Sequence, residues 1–230
     1  MLTNNSFEFP NPENSDKQGL LAVGGDLSPQ RLLEAYRQGI FPWFESGQLP
    51  LWWSPDPRLI LRPASFKLSR SLKQSLKKSH RFTVDTAFSE VINACASSKD
   101  RINRTWITNE MQQAYITLHT MGYAHSFEIW NENTLVGGLY GLSLGRAFFG
   151  ESMFHRTRDS SKLAMYYLCQ TLQNWQFDFI DCQLPTAHLQ SLGAITISRR
   201  HFLGLLQKTL EHPTCKGQWT NSIDEWMARD

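Results

Sequence analysis

The sequence predicts an α+β fold, with a small N-terminal domain over residues 1–62 and a larger domain over 63–230 built on a mixed, largely antiparallel sheet. Three observations predict it. Apolar residues recur at helical spacing from Phe88 to Leu118, then at a period of two from His125 to Phe154. A long helical pattern from Ser160 follows, and behind it short apolar strands alternate with short helices. Between Phe41 and Arg58, four prolines, three tryptophans and two phenylalanines interrupt any regular period, so the division between two units is expected near Arg62-Pro63.

The elements follow in order. The first 17 residues are polar, hold two prolines and read as an irregular lead-in. Gly24-Gly25 supplies turn chemistry. Ser28-Pro29 opens a helix, with Ser28 as an acceptor for orphan N–H groups and Pro29 at the first helical position. Leu32, Leu33 and Tyr36 form its apolar face, and Gly39 stops it. The stretch from Phe41 to Arg58 reads as an aromatic, proline-stiffened loop packed over the second domain. Ser69 to Ser79 is a short helix with Leu72 and Leu76 inward. Phe82 to Asp85 is strand-like; Phe88, Val91, Ile92 and Cys95 mark one helix, and Met111, Ala114, Tyr115 and Leu118 a second, capped at Gly122. His125 to Trp130, Leu135 to Leu144 and Arg146 to Phe154 form a meander, joined by Asn131-Glu132-Asn133 and Leu144-Gly145. A helix over Ser160 to Trp175, a strand over Phe177 to Gln183, a short helix near His188, a strand at Ile195 to Ile197 and a helix from Ser198 complete the chain. Two helices, a three-strand meander, a helix, a strand, a helix and a strand is the order expected of an N-acetyltransferase-type (GNAT-like) fold, one that hosts many chemistries.

Composition narrows the function classes. Apolar residues make up 41% and charged residues 19%, which is globular rather than disordered. The eight tryptophans suit either a Trp-rich core or stacking on nucleic-acid bases. A net charge of only +2 excludes a general coat on nucleic acid and leaves room for a local basic patch. The four cysteines form no C-x-x-C pair, so no structural zinc site is expected, nor any other metal. The polar start has no signal-peptide pattern, and no apolar run reaches the ~20 residues of a membrane span. A cytoplasmic protein with reduced thiols and no membrane partner is expected.

Three groups of residues carry chemistry. Glu151 ends one apolar strand and Asp181 another, with Gln183 just beyond. Each carboxylate alone reads as a cap or a surface residue; together on neighbouring strands they would form an acidic floor for an amine. His155 to Lys162 opens the long helix, where Arg156, Arg158 and Lys162 add to the positive field of the helix start. That turn lacks the glycines a coenzyme A pyrophosphate would need, so a nucleic-acid phosphate suits it better; the bland alternative is a capping loop built on Asp159 or Ser160. Arg70, Lys73 and Lys77 fall on one helix face, and no acidic residue lies between Lys67 and Val84. This is either a solvated face or a phosphate-binding one. The histidines show no metal-ligand spacing, and no nucleophile elbow is present.

Several long stretches resemble one family. They include Gly19-Leu20-Leu21-Ala22-Val23-Gly24-Gly25-Asp26-Leu27-Ser28-Pro29, Gly39-Ile40-Phe41-Pro42-Trp43-Phe44, Leu51-Trp52-Trp53-Ser54-Pro55-Asp56-Pro57-Arg58, Thr105-Trp106-Ile107, Gly150-Glu151-Ser152-Met153-Phe154 and Ile180-Asp181-Cys182-Gln183. With Ala124-His125-Ser126, Leu135-Val136-Gly137-Gly138 and Ser191-Leu192-Gly193-Ala194, they resemble the leucyl/phenylalanyl-tRNA–protein transferases along almost the whole chain. Two departures stand out: Ser160-Ser161-Lys162 where the family has Ala-Ser-Lys, and the tail after Cys215.

The resemblance implies a GNAT-like C-terminal domain that uses no metal and no coenzyme A. It implies leucyl-tRNA as donor, phenylalanyl- and methionyl-tRNA as lesser donors, and an acceptor protein with N-terminal Lys or Arg that is thereby marked for degradation. It carries catalysis to Asp181 and Gln183 with Glu151 beside them, and the donor side-chain pocket to Trp43, Leu139, Phe148, Leu168, Leu172 and Ile180. Trp106 matches an aromatic of donor binding, and Arg70, Lys73, Lys77, Arg156, Arg158 and Lys162 are the expected tRNA contacts. A coenzyme A-dependent GNAT-type N-acyltransferase and a non-catalytic RNA-binding module are the competing readings.

Overall fold

A computed structural model describes residues 1–2, 7–97 and 105–220. It is α+β, with two sheets. The small sheet has three antiparallel strands in the order β1 (Leu20–Val23), β3 (Leu51–Trp53), β2 (Phe41–Pro42). The large sheet has seven strands: β10 (Ile195–Ile197), β4 (Arg58–Leu61), β9 (Phe179–Gln183), β8 (Ala147–His155), β7 (Thr134–Leu144), β6 (Ala124–Asn131) and β5 (Arg81–Val84), in that spatial order. Every neighbouring pair is antiparallel except β8 with β9, so the sheet is mixed, as predicted.

The proline-rich segment differs from its expectation. It is not a plain loop: β3 is the central strand of the small sheet, with Trp53 paired to both Leu20 and Phe41. Pro50 and Pro55 flank four proline-free residues, which suffice for a short ladder, and Pro42 sits on an edge strand where its missing N–H is tolerated. The expected division at Arg62 also separates β4 from the sheet it completes. β4 pairs with β9 on one side and β10 on the other, so four residues counted with the N-terminal unit belong to the large sheet.

Helices cover both faces of that sheet. On one side lie α1 (Pro29–Arg37), α3 (Phe88–Ala96), α4 (Asn109–Thr120) and α7 (Arg199–Thr209). Leu32, Tyr36 and Trp52 there join Val91, Tyr115, Tyr140 and Phe149 in one core, so the small sheet shares its apolar interior with the large one. On the other side lie α2 (Arg70–Leu76) and α5 (Ser160–Asn174), over Phe127, Phe148, Leu168, Leu172 and Ile180. Strand alternation sends Phe148 to one core and Phe149 to the other.

Capping explains the helix starts. Ser69, Thr108 and Ser198 each accept a bond from the N–H three residues on. Ser28 does not: Asp26 Oδ1 accepts the Ser28 N–H at 2.9 Å instead, and the Ser28 hydroxyl makes no cap bond. Gly39 ends α1 at φ +73°, where a side chain would meet Leu203 at 2.7 Å.

The tail is a core element as far as residue 220. Trp219 is 1% exposed, stacks on His125 at 3.6 Å, and gives its N–H to Asp85 at 2.9 Å. All four cysteines are free. Among the described residues no helix is long and apolar enough to cross a membrane, and no group of three His, Cys, Asp or Glu could hold a metal ion.

Candidate active site

The site arises where β8 and β9 part. Their ladder runs from Ala147 opposite Phe179 to Phe149 opposite Asp181. Beyond it β8 pairs only with β7, and β9 only with β4. The opening holds a cleft of about 420 Å³ lined from β8 by Gly150, Glu151, Ser152 and Met153, and from the β9 end by Cys182, Gln183 and Leu184. Trp43 reaches over it from the N-terminal unit, Trp106 from the segment before α4, and His188 from the short helix α6 (Ala187–Ser191).

Glu151 is the carboxylate on the cleft wall. Tyr36 of α1 donates to its Oε1 at 2.7 Å and Tyr115 of α4 to its Oε2 at 2.9 Å, and the two phenol oxygens also contact each other. Burial pushes the Glu151 carboxyl up. The two tyrosines hold it back, the Asp181 charge adds to the rise, Arg58 opposes it, and the result is about 7. Both phenols are in turn pushed above their ordinary value, first by burial and then by the Glu151 charge, so they stay neutral donors. A carboxylate poised near neutrality beside an apolar cleft can take and return a proton.

Asp181 is the other carboxylate, and its surroundings are different; both lie within their strands rather than at the ends where the sequence reading places them, because the apolar runs continue past them in β8 and β9. It is fully buried, and Arg58 of β4 grips it with two bonds, Nε to Oδ1 at 2.8 Å and Nη2 to Oδ2 at 2.6 Å. The expected acidic floor of two free carboxylates is therefore absent, because a guanidinium cancels one of them. Asp181 Oδ1 also accepts the Gln183 N–H at 3.0 Å. Gln183 has φ +56°, in the left-handed region that side chains seldom adopt, and the ladder between β4 and β9 is irregular at this point. Its Nε2 is buried with no partner among the described residues, the kind of unsatisfied donor that marks a ligand contact.

The expected donor pocket divides in two. Trp43, Leu139, Leu168 and Ile180 line the cleft, and Met153 and Met165 join them. Phe148 and Leu172 are fully buried in the core behind that wall and do not line it. Trp43 is 41% exposed, and Trp106 lies on the same cleft.

Arg70, Lys73 and Lys77 are exposed on α2 and its cap, and none forms an ion pair within 4 Å among the described residues. The cations at the α5 start are more committed. Lys162 pairs with Asp159 at 3.0 Å, Arg156 gives Nη1 to the Leu135 carbonyl at 2.9 Å, and Arg158 is 84% exposed with a 3.7 Å approach to Asp159. The helix start thus already carries a carboxylate.

Sequence reasoning did not find Tyr36, Tyr115 or Arg58 as site residues. Both tyrosines were placed on apolar helix faces, although a buried phenol needs a partner for its hydroxyl. His188 also lies on the cleft, where burial and then Lys162 and His155 push its imidazole below the usual value.

Comparison with known proteins places this geometry in context. Residues 60–207 match the family model for leucyl/phenylalanyl-tRNA protein transferase, and residues 25–56 match the model for that protein's N-terminal domain. A leucyl/phenylalanyl-tRNA–protein transferase of Legionella pneumophila (strain Corby) is 63% identical over 224 residues, covering 97% of this chain and all of that one. One from Lawsonia intracellularis is 53% identical over 88% of this chain and 90% of its own length. One from Nitrosomonas europaea is 52% identical over 92% and 91%.

Proposed function

The chain belongs to the leucyl/phenylalanyl-tRNA–protein transferase family, and we propose that it moves leucine, and less readily phenylalanine or methionine, from aminoacyl-tRNA to the N-terminal Lys or Arg of an acceptor protein. The new residue marks the acceptor for degradation, and the reaction runs in the cytoplasm where charged tRNA is found. The observation that carries the chemistry is Glu151, raised to about 7 on the wall of an apolar cleft.

In this reading the 3′-terminal nucleoside of the donor enters between Trp43 and Trp106, both on the cleft, and its amino-acid side chain sits against Leu139, Leu168 and Ile180. Phe148 and Leu172 back that wall and set its depth. Arg70, Lys73 and Lys77 track the tRNA backbone, with Arg158 the freest of the cations near the α5 start and Arg156 and Lys162 beside it. Most of the acceleration comes from holding amine and ester together. The acceptor α-amine, with a pKa of about 8, gives a proton to Glu151 and attacks the ester carbonyl. The carbonyl re-forms, the bond to the ribose oxygen breaks, and that oxygen receives the proton as the tRNA hydroxyl. Gln183 and Asp181 fix the geometry at the reacting carbon; the base role falls to Glu151 because Arg58 already occupies Asp181. The ester is activated beforehand, so no coenzyme A and no metal is required.

The parallel β8–β9 pair opening into a ligand cleft supports a GNAT-like architecture, with the two units meeting between Asp56 and Arg58 rather than at Arg62. Transfer of radiolabelled leucine from leucyl-tRNA to a peptide beginning with Arg tests the reading. Label in the Arg-started peptide, with little in an Asp-started one, is expected; equal labelling of both, or none, contradicts it.

A further inference from the structure

We infer that Arg58 is a positioning residue of the transfer reaction: through its two-bond grip on Asp181 it fixes the backbone turn that aims Gln183 into the cleft. The inference rests on the transferase reading above and adds to it a residue on a different strand.

The chain of contacts is continuous. Arg58 is 1% exposed at its side chain and Asp181 0%, so neither charge is relaxed by water. Nε and Nη2 of Arg58 meet the two carboxylate oxygens at 2.8 and 2.6 Å, the planar fork that only a guanidinium offers. The guanidinium is held in turn by two rings, Phe41 of β2 at 4.9 Å and Phe202 of α7 at 4.4 Å. One carboxylate oxygen then carries the load forward. Asp181 Oδ1 takes both Arg58 Nε and the backbone N–H of Gln183.

That last bond closes a turn which the backbone would not adopt unaided. Gln183 stands at φ +56°, a left-handed conformation that is strained for a residue with a side chain. Leu184 N–H bonds back to the Cys182 carbonyl at 2.8 Å, tightening the same turn. If Asp181 rotated, Gln183 would lose its backbone acceptor and relax toward an extended strand, and its side chain would swing to the other face of β9. Its amide, whose Nε2 is buried and unpartnered among the described residues, would leave the cleft lining that Gln183 shares with Glu151.

A buried pair of this kind is weak evidence of stability, because two well-packed neutral side chains often serve the fold as well. This separates a positioning role from a structural one. Three variants are compared for thermal melting and for steady-state transfer: Arg58→Lys, Asp181→Asn and the neutral double Arg58→Met with Asp181→Asn. Lys keeps the charge but not the fork. Arg58→Lys is expected to melt within a few degrees of the parent, to lose about 10- to 100-fold in kcat, and to hold donor KM within about threefold, because only reacting geometry is lost. Its acid limb stays in place, since the positive charge beside Glu151 remains. Asp181→Asn leaves a buried guanidinium unpaired and is expected to lose both stability and transfer. The neutral double variant is expected to regain melting temperature while transfer stays down about 100-fold.

Full kcat in Arg58→Lys, with the double variant still impaired, overturns the positioning role of Arg58 and leaves the role of Asp181 standing. Transfer that returns in the double variant together with stability shows the whole pair to be structural, and removes Asp181 and Gln183 from the reading as well.

Discussion

Glu151 and Asp181 lie within neighbouring strands, two residues past and at the last rung of one parallel ladder, and are nevertheless opposite in kind. Asp181 is buried against a guanidinium that matches its charge and its shape. Glu151 is half-buried against two phenols that offer hydrogen bonds but no charge. The Asp181 carboxylate therefore has a counter-ion in direct contact, and Glu151 does not. The lesson is that the partner, not the carboxylate or its place on a strand, decides which group becomes a proton acceptor.

The largest effect should come from neutralising the cleft carboxylate. Glu151→Gln keeps shape and removes the proposed base, and kcat/KM for transfer is expected to fall about 10²- to 10⁴-fold. Retention of half the activity or more would break the comparison, since Glu151 would then be a spectator.

The same variant should behave unusually in stability. Glu151 has a folded pKa of about 7, raised above the ordinary 4.5, so the folded chain binds its proton more tightly than the unfolded one. Its contribution is fully present below about 4.5 and is lost as pH rises through about 7. At pH 8 the ionised carboxylate weighs against folding, and Glu151→Gln is expected to be more stable than the parent by up to about 3 kcal/mol, the shift taken at ~1.4 kcal/mol per unit. Denaturant melts at pH 5 and pH 8 check the sign. A variant less stable than the parent at pH 8 would contradict it.

Smaller effects sharpen the picture at a distance from the carboxylates. Replacing Arg70, Lys73 and Lys77 together by Ala should lower the slope of log affinity against log salt for charged tRNA by about 2 to 3. An unchanged slope in filter binding would return this face to simple solvation.

How much of this was legible in the sequence differs between fold and site. The meander and the long helix were clear because their periods of two and 3.6 are local properties of the chain; α5 begins at Ser160, where the periodicity placed it. β3 and β4 were hidden, since prolines on either side mask strands of three and four residues. At the site, Glu151 and Asp181 stood out as carboxylates ending apolar runs. Their partners did not. Arg58 lies 123 residues from Asp181, and Tyr36 lies 115 from Glu151. Nothing in the spacing of a chain encodes which distant side chain will meet a carboxylate, so the residues were visible and the difference between them was not. Trp219 shows the same limit: a single aromatic in a poorly matched tail became a core residue through contacts with strands far upstream.

The most direct measurement is the titration of Glu151 itself, followed by carbon-13 NMR of its carboxyl in the free protein. A midpoint near 7 is expected, moving further upward in Tyr115→Phe because that phenol stabilises the charged form. A midpoint near 4.5, unmoved by the loss of the phenol, would contradict the account, since Glu151 would then be an ordinary ionised carboxylate and the contrast with Asp181 would vanish.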